Sequence, residues 1–255
     1  MKYHRDNLMK IIISPAKKMN YSDSLPYGGL PCYIEKADIV RKYLKGLSYE
    51  EIKKVWKCND SITALNIDRL RDMDLEKHLT SAVTAYDGIQ YKYMAPEVLE
   101  EDALKYLDGH LVIISALYGA LKPFDGIALY RLEMQAKACP DGAKDMYAFW
   151  KDDIYKAVTD SSNTILNLAS AEYSKCIEPY LKDGDRFITC VFAEDVGGKL
   201  IQKGTLAKMA RGEMVRYLAE TCALEPEKAK DFNRLSFKFD DDRSDENNYI
   251  FVKSL

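Results

Sequence analysis

With 255 residues and 47% apolar side chains, the chain is long enough to bury a full core and suits one large α/β domain. Its 37 basic residues against 40 acidic ones leave a net charge of −3, which excludes a bulk polycation; any nucleic-acid contact must come from a local patch. Six scattered cysteines without a C-x-x-C pair, and only His4, His78 and His110 beside them, exclude the familiar zinc spacings, so no metal or cofactor is expected and the thiols are expected to be reduced.

Lys2 and Arg5 are followed only by the short Ile11–Ile13 run, too short for a signal peptide or a membrane span. A cytoplasmic protein with no membrane partner, favoured as a monomer, is expected. Met9 directly precedes the first predicted strand, so residues 1–8 read as an extension and residues 9–255 as the α/β domain. That strand, Ile11-Ile12-Ile13, runs into Ser14-Pro15-Ala16-Lys17. A loop with Pro26, Gly28, Gly29 and Pro31 comes next, and then helices. Ser48 and Glu51 have capping-box spacing, with Leu47 and Ile52 placed as a hydrophobic staple. That helix runs to about Lys57, and a second resumes from Ile62 to Arg71 after Lys57-Cys58-Asn59-Asp60-Ser61. Two short helices joined by a tight turn have the outline of a helix-hairpin-helix, which can seat a DNA backbone. A plain helical pair fits better, since the turn has no glycine to let a phosphate approach.

Ala82–Tyr86 reads as a strand, and Pro96 as the start of an acidic helix with Glu97, Glu100, Glu101 and Asp102 in its first turns. A strand over Leu111–Ser115 leads into Ala116-Leu117-Tyr118-Gly119. A long connection through Pro123-Phe124-Asp125-Gly126 reaches Tyr130-Arg131-Leu132-Glu133-Met134, and Asp145–Val158 reads as one helix carrying Trp150. The next strand, Ile165-Leu166-Asn167-Leu168, ends at Ala169-Ser170-Ala171-Glu172-Tyr173. Phe187–Ala193 forms another, which Gly197-Gly198 turns back into Lys199–Lys203. Thr205–Thr221 is predicted helical, with Leu206, Met209, Ala210, Met214, Tyr217 and Leu218 on one face. Glu213 falls within that face, placed either to pair with Arg216 or to meet something other than core. Leu235, Phe237 and Phe239 alternate before an acidic turn and a last strand near Tyr249–Val252. Together these predict an α/β fold with a mixed, mostly parallel sheet flanked by helices, a helix-hairpin-helix-like pair and a C-terminal β-hairpin.

Three strands thus end on a serine, at the end where open parallel sheets bind ligands. If they are neighbours, Ser14, Lys17, Ser115, Tyr118, Asn167, Ser170 and Tyr173 converge on one pocket; the serines also suit plain strand-to-helix punctuation. Between Arg186 and Arg216, six basic residues face three acids, and Lys208 and Arg211 are i, i+3 neighbours able to hold one anion or to form a solvated basic face. Arg131 and Glu133 point the same way if extended, to bind a polar ligand or to pair with each other. No catalytic triad, P-loop or Gly-x-Gly-x-x-Gly is present, and no catalytic residue is predicted.

The segments Ile13-Ser14-Pro15-Ala16-Lys17, Ser115 to Pro123, Tyr130 to Met134, Met146 to Trp150, Asn167 to Ser170 with Glu172-Tyr173, and Ala210 to Met214 resemble, in that order, the YaaA-type peroxide stress proteins of bacteria. The resemblance covers nearly all of Met9 to Lys253. It implies a cytoplasmic protein that limits free iron under hydrogen peroxide and binds duplex DNA through its backbone, in a positive cleft with a helix-hairpin-helix. The cleft cations carried over are Lys17, Lys122, Arg131, Lys199 and Arg211, with Lys208 added from its helix position; Glu213, where an apolar residue is expected, is placed outside any shared site. The alternative expectation is an enzyme or binder of a nucleotide-like anion at the strand ends, lined by Ser14, Ser115, Tyr118, Glu133, Asn167, Ser170 and Tyr173.

Overall fold

The computed structural model describes residues 9–253; the extension read at residues 1–8 lies outside the described residues. In chain order the elements are β1 (Lys10–Ile13), α1 (Ile34–Lys45), α2 (Tyr49–Trp56), α3 (Asp60–Asp72), β2 (Thr80–Ser81), α4 (Ala82–Ala85), α5 (Ile89–Met94) and α6 (Glu101–His110). Then come β3 (Leu111–Ser115), β4 (Gly119–Leu121), β5 (Gly126–Ile127), α7 (Met146–Trp150), α8 (Asp153–Thr159), β6 (Thr164–Leu168) and α9 (Ala171–Ser174). β7 (Arg186–Val196), β8 (Lys199–Ile201), α10 (Gly204–Glu220), β9 (Phe237–Phe239) and β10 (Asn248–Lys253) complete the chain.

The main sheet has the order β4-β3-β1-β6-β7-β10-β9, with β8 added to β7. β3, β1, β6, β7 and β10 run parallel, whereas β4, β8 and β9 are antiparallel to their partners. Consecutive residues Ile11, Ile12 and Ile13 are all fully buried, as are Ile113, Ile114, Ile165 and Leu166. Burial of both side-chain parities means that both sheet faces are covered, which is why these strands are runs of apolar residues and not alternating ones. Helix α8 lies against β1, β4 and β6, while α10 packs on β7, α5 and α6. The C-terminal pair β9 and β10 is antiparallel, Phe239 opposite Phe251. No helix among the described residues is long and apolar enough to cross a membrane.

At the helical pair, Ser48 and Glu51 form the capping box, and Asn59 caps α3 by accepting the Ile62 amide. Three local readings are corrected. The strand read over Ala82–Tyr86 is instead the two residues just before it, Thr80 and Ser81. The Ala82 and Val83 amides donate to the Asp125 and Pro123 carbonyls, so a distant loop captures them and Ala82–Ala85 coils. The helix read over Asp145–Val158 breaks at Lys151, whose φ is 48°; Trp150 is held in the core by its indole N–H donating to the Ala116 carbonyl at 2.9 Å. Pro96 starts only a short 3-10 turn, and the acidic helix begins at Glu101.

Candidate functional site: a cationic pocket at the sheet switch point

The chain leaves β1 toward β3 on one side and leaves β6 toward β7 on the other, so the strand order reverses between β1 and β6. Loops diverging from such a point open a crevice at the carboxyl ends of the strands. The register places Ile13 level with Leu168, so the residues beyond these ends, Ser14 and Ser170, meet there. The Ser170 amide donates to Ser14 Oγ at 2.9 Å, and Ser14 Oγ donates to Ser170 Oγ at 3.2 Å. This exchange joins the two strand ends and leaves the Ser170 hydroxyl hydrogen for a ligand.

A cavity of about 350 Å³ opens over this pair, lined by Ser14 to Lys18, Asp87 to Tyr91, Tyr130 to Glu133, Ser170, Glu172, Tyr173, Lys208 and Arg211. Tyr91, from α5, donates to the Ser14 carbonyl at 3.0 Å and so fixes one wall to the β1 end. Helix α10 forms another wall. It comes so close to α5 that Gly212 has no room for a side chain, since a Cβ there would sit 2.1 Å from the Gln90 carbonyl oxygen. This close approach carries Arg211 into the cavity beside Gln90 and Tyr91.

Five cations (Lys17, Lys18, Arg131, Lys208 and Arg211) share the cavity with three carboxylates, Asp87, Glu133 and Glu172. Asp87 binds Lys18 and Lys92, and their hydrogen bonds hold its carboxyl below the usual range. Glu133 binds Arg131 Nη2 and Lys17 Nζ, each at 2.9 Å. The Arg131–Glu133 pairing foreseen as one alternative therefore forms, with Lys17 as a third member. Arg211 is different. Its buried Nε, like that of Arg131, finds no hydrogen-bond partner, but unlike Arg131 it also forms no ion pair among the described residues. Burial works against its charge and pulls its pKa down from the ordinary guanidinium value. A guanidinium stays charged in proteins, so an unneutralised one inside a cavity has the chemistry to hold an anion.

Behind the cavity wall runs a chain of hydroxyls. Tyr86 and Tyr130 are joined at 2.8 Å and Tyr130 and Ser115 at 2.7 Å, while the Tyr118 amide donates to Ser115 Oγ at 3.0 Å. Burial pushes the Tyr130 phenol up to about 12, so this chain stays protonated and rigid. Ser115 thus supports the wall from within the core. Tyr118 is fully buried, its hydroxyl accepting the Ala128 amide at 3.0 Å. Asn167 is buried in β6, accepting the Ala169 amide and donating to Thr189 Oγ1. None of the three lines the cavity: Ser115 and Tyr118 belong to β3, one strand away from the switch point, and to its loop into β4, and Asn167 is buried within β6 with its amide engaged by Ala169 and Thr189.

Of the remaining residues singled out from the sequence, Ser14, Lys17, Arg131, Glu133, Ser170, Tyr173, Lys208 and Arg211 line the cavity together. Lys122 does not. β4 runs antiparallel to β3 and returns the chain toward the amino ends of the parallel strands, so Lys122 lines a separate cavity with Lys10, Asp108 and Asp160. Lys199 is exposed on β8, outside the cavity lining. Glu213 pairs with Arg234 at 3.2 Å, not with Arg216, which binds Glu220. Sequence reading missed Asp87, Gln90, Tyr91 and Glu172 as lining groups. Only the Asp87-Gly88 punctuation hinted at the first; a Cβ on Gly88 would approach Ala16 Cβ to 2.7 Å, so the glycine lets this loop lie against the β1 end. Among the described residues no three His, Cys, Asp or Glu side chains group closely enough to hold a metal ion.

The sequence matches the family described as peroxide stress protein YaaA over residues 9–243. Among similar proteins, a UPF0246 protein of Desulfitobacterium hafniense is 52% identical over 248 residues, covering 97% of this chain and 99% of its own length. UPF0246 proteins of Lachnoclostridium phytofermentans and Agathobacter rectalis are each 51% identical, covering 96% and 97% of this chain and 96% and 100% of their own lengths. With a family match over almost the entire chain and relatives of this closeness, the chain belongs to the YaaA peroxide stress protein family.

Proposed function

We propose that this YaaA-family protein acts in peroxide stress by binding a phosphate-bearing ligand of nucleotide size in the pocket at the switch point. The observation that carries the reading is Arg211, a mostly buried guanidinium with no carboxylate partner, facing a cavity of about 350 Å³. That volume falls in the range of small-molecule sites, and a bidentate guanidinium suits a phosphate. A second reading, contact with the backbone of duplex DNA, is favoured by Lys17, Lys18 and Lys208, whose ammonium groups surround the same cavity. Such contacts are to phosphates, and DNA affinity would fall steeply with salt.

Thermal shift with inorganic phosphate and nucleoside monophosphates, beside fluorescence anisotropy on duplex DNA, separates the two. Stabilisation by the small ligands that Arg211→Met abolishes supports the first reading. Salt-dependent DNA binding with no response to any small anion replaces it with the second. The lowering of free cytoplasmic iron implied by the resemblance we take as an effect downstream of this ligand. Chelatable iron in a deletion strain carrying either the wild-type protein or Arg211→Met tests that link, and equal iron in both would break it. Cys176 and Cys190 do not suit thiol chemistry: burial pushes the Cys176 thiol up to about 12 and Cys190 beyond that, far from the thiolate form.

A further inference from the structure

Three charged side chains in the pocket form no ion pair among the described residues: Lys208, exposed on α10, and the more buried Arg211 and Glu172, which have opposite signs. Asp87 and Glu133 are each held by two cations. Glu172 lines the same cavity and forms no ion pair among the described residues; Lys17, a cation near enough to feel it, is engaged by Glu133. One Glu172 oxygen, Oε1, accepts the Gln135 amide at 3.2 Å and the Met134 amide also bears on the carboxylate, which keeps further lone pairs, on Oε2 among them, for another donor. Burial is the main influence on this carboxyl and raises its pKa, because desolvation disfavours the charged form.

A ligand made only of phosphates would satisfy Arg211 and be repelled by Glu172. A ligand with an anion at one end and an N–H donor at the other satisfies both. The same cavity is walled by Tyr91, Tyr130 and Tyr173, whose ring surfaces suit a planar heterocycle. Resting on the phosphate reading above, we infer that the ligand is a nucleoside monophosphate whose base carries an exocyclic amine, with its phosphate on Arg211 and its amine on Glu172 Oε2. In this arrangement Glu172 sets specificity and Arg211 supplies the anchor. Purine and pyrimidine bases share this chemistry when aminated, and the choice of base is read from the panel below.

The test is isothermal titration of the full chain with matched pairs that differ by one amine: AMP against purine riboside 5′-monophosphate, GMP against IMP, and CMP against UMP as the pyrimidine arm. At least one aminated member is expected to bind about tenfold or more tighter than its partner, the value of one hydrogen bond to a charged group. Glu172→Gln keeps an oxygen for the Gln135 amide but turns an NH₂ toward the ligand. It is expected to erase that preference, while inorganic phosphate, relieved of the carboxylate's repulsion, binds at least as tightly as to the wild-type protein. Equal binding of every pair by the wild-type protein, with phosphate still lost in Arg211→Met, overturns the amine inference and leaves the phosphate reading standing. If neither phosphate nor any nucleotide binds the wild-type protein, both fall. An unchanged preference in Glu172→Gln also overturns the assignment to Glu172, and because the wild-type pairs are informative alone, poor folding of the variant does not rescue it.

Discussion

Replacing Gly212 by alanine puts a methyl group where α10 packs on α5, beside the pocket's unpaired arginine. The new Cβ would stand 2.1 Å from the Gln90 carbonyl oxygen, 2.9 Å from Tyr93 Cβ and 3.0 Å from the Gln90 carbonyl carbon. Two of these obstacles are backbone, so no side-chain rotation relieves them, and the helices must part by about 1 Å to restore ordinary contact. Overpacking of this kind costs up to about 3 kcal/mol, offset by about 1 kcal/mol from the better helix propensity of alanine. A net loss of about 2 kcal/mol lowers Tm by about 4–8 °C for a chain of this size. The same displacement moves Arg211 relative to Gln90 and Tyr91 on the facing wall, so phosphate affinity is expected to fall at least tenfold or so. Gly109, in α6, is the control: nothing lies within 4 Å of its would-be Cβ, and Gly109→Ala should stabilise by about 0.5–1 kcal/mol. Denaturant titration and calorimetric melting of both variants measure the difference. A Gly212→Ala protein as stable as its parent, with phosphate affinity intact, would refute the claim that this contact sets the pocket's width.

Arg211→Met should raise the stability of the unliganded protein by about 1 kcal/mol, because it removes a buried charge with no partner, while abolishing stabilisation by phosphate. A lower melting temperature without ligand would show that Arg211 is structurally neutralised after all. Ser115→Ala strips a buried acceptor from the Tyr118 amide and should destabilise by about 1–3 kcal/mol in urea, yet leave ligand affinity within about twofold, since Ser115 lies behind the wall. A large affinity loss with little destabilisation would place Ser115 in the pocket. Burial raises the Asp125 carboxyl to about 6. A carboxyl whose folded pKa exceeds its unfolded value near 3.9 loses stability as pH rises between the two, so wild type carries the full penalty above pH 6 and none below about pH 4. Asp125→Asn, which keeps an oxygen for the Lys122 amide at 2.8 Å, should therefore be more stable than wild type at pH 7.5, on the order of 2 kcal/mol. That advantage should vanish by pH 4; a difference that does not change with pH counts against a buried, ionising Asp125.

The strand runs ending at Ser14, Ser115 and Ser170 were legible because fully buried parallel strands need unbroken apolar residues, a property carried by local sequence. Helix α10 and the capping box at Ser48 were legible for the same reason: helical period and capping involve residues three or four apart. Errors came where distant contacts overrode local preference. Ala82 and Val83 look like strand residues until the Pro123 and Asp125 carbonyls take their amides, and the helix through Trp150 looks continuous until the indole is anchored to Ala116.

For the site, the amino-acid order alone determined that three strands would deliver polar side chains to one end of a sheet, because strand identity and the residue following each strand are local facts. Only the tertiary structure decided that the crevice opens between β1 and β6 and not over β3, because strand order is settled by crossovers that no short window contains. That choice left Ser115 and Tyr118 buried away from the cavity, and the antiparallel β4 sent Lys122 to the opposite end. Folding also brought Tyr91 to Ser14 across 77 positions of sequence. Charge pairing was decided in the same way. Sequence counted Lys17, Arg131, Lys208 and Arg211 as equivalent cations, whereas folding gave Glu133 to the first two, left Lys208 exposed on α10 and left the more buried Arg211 in the cavity with no carboxylate of its own.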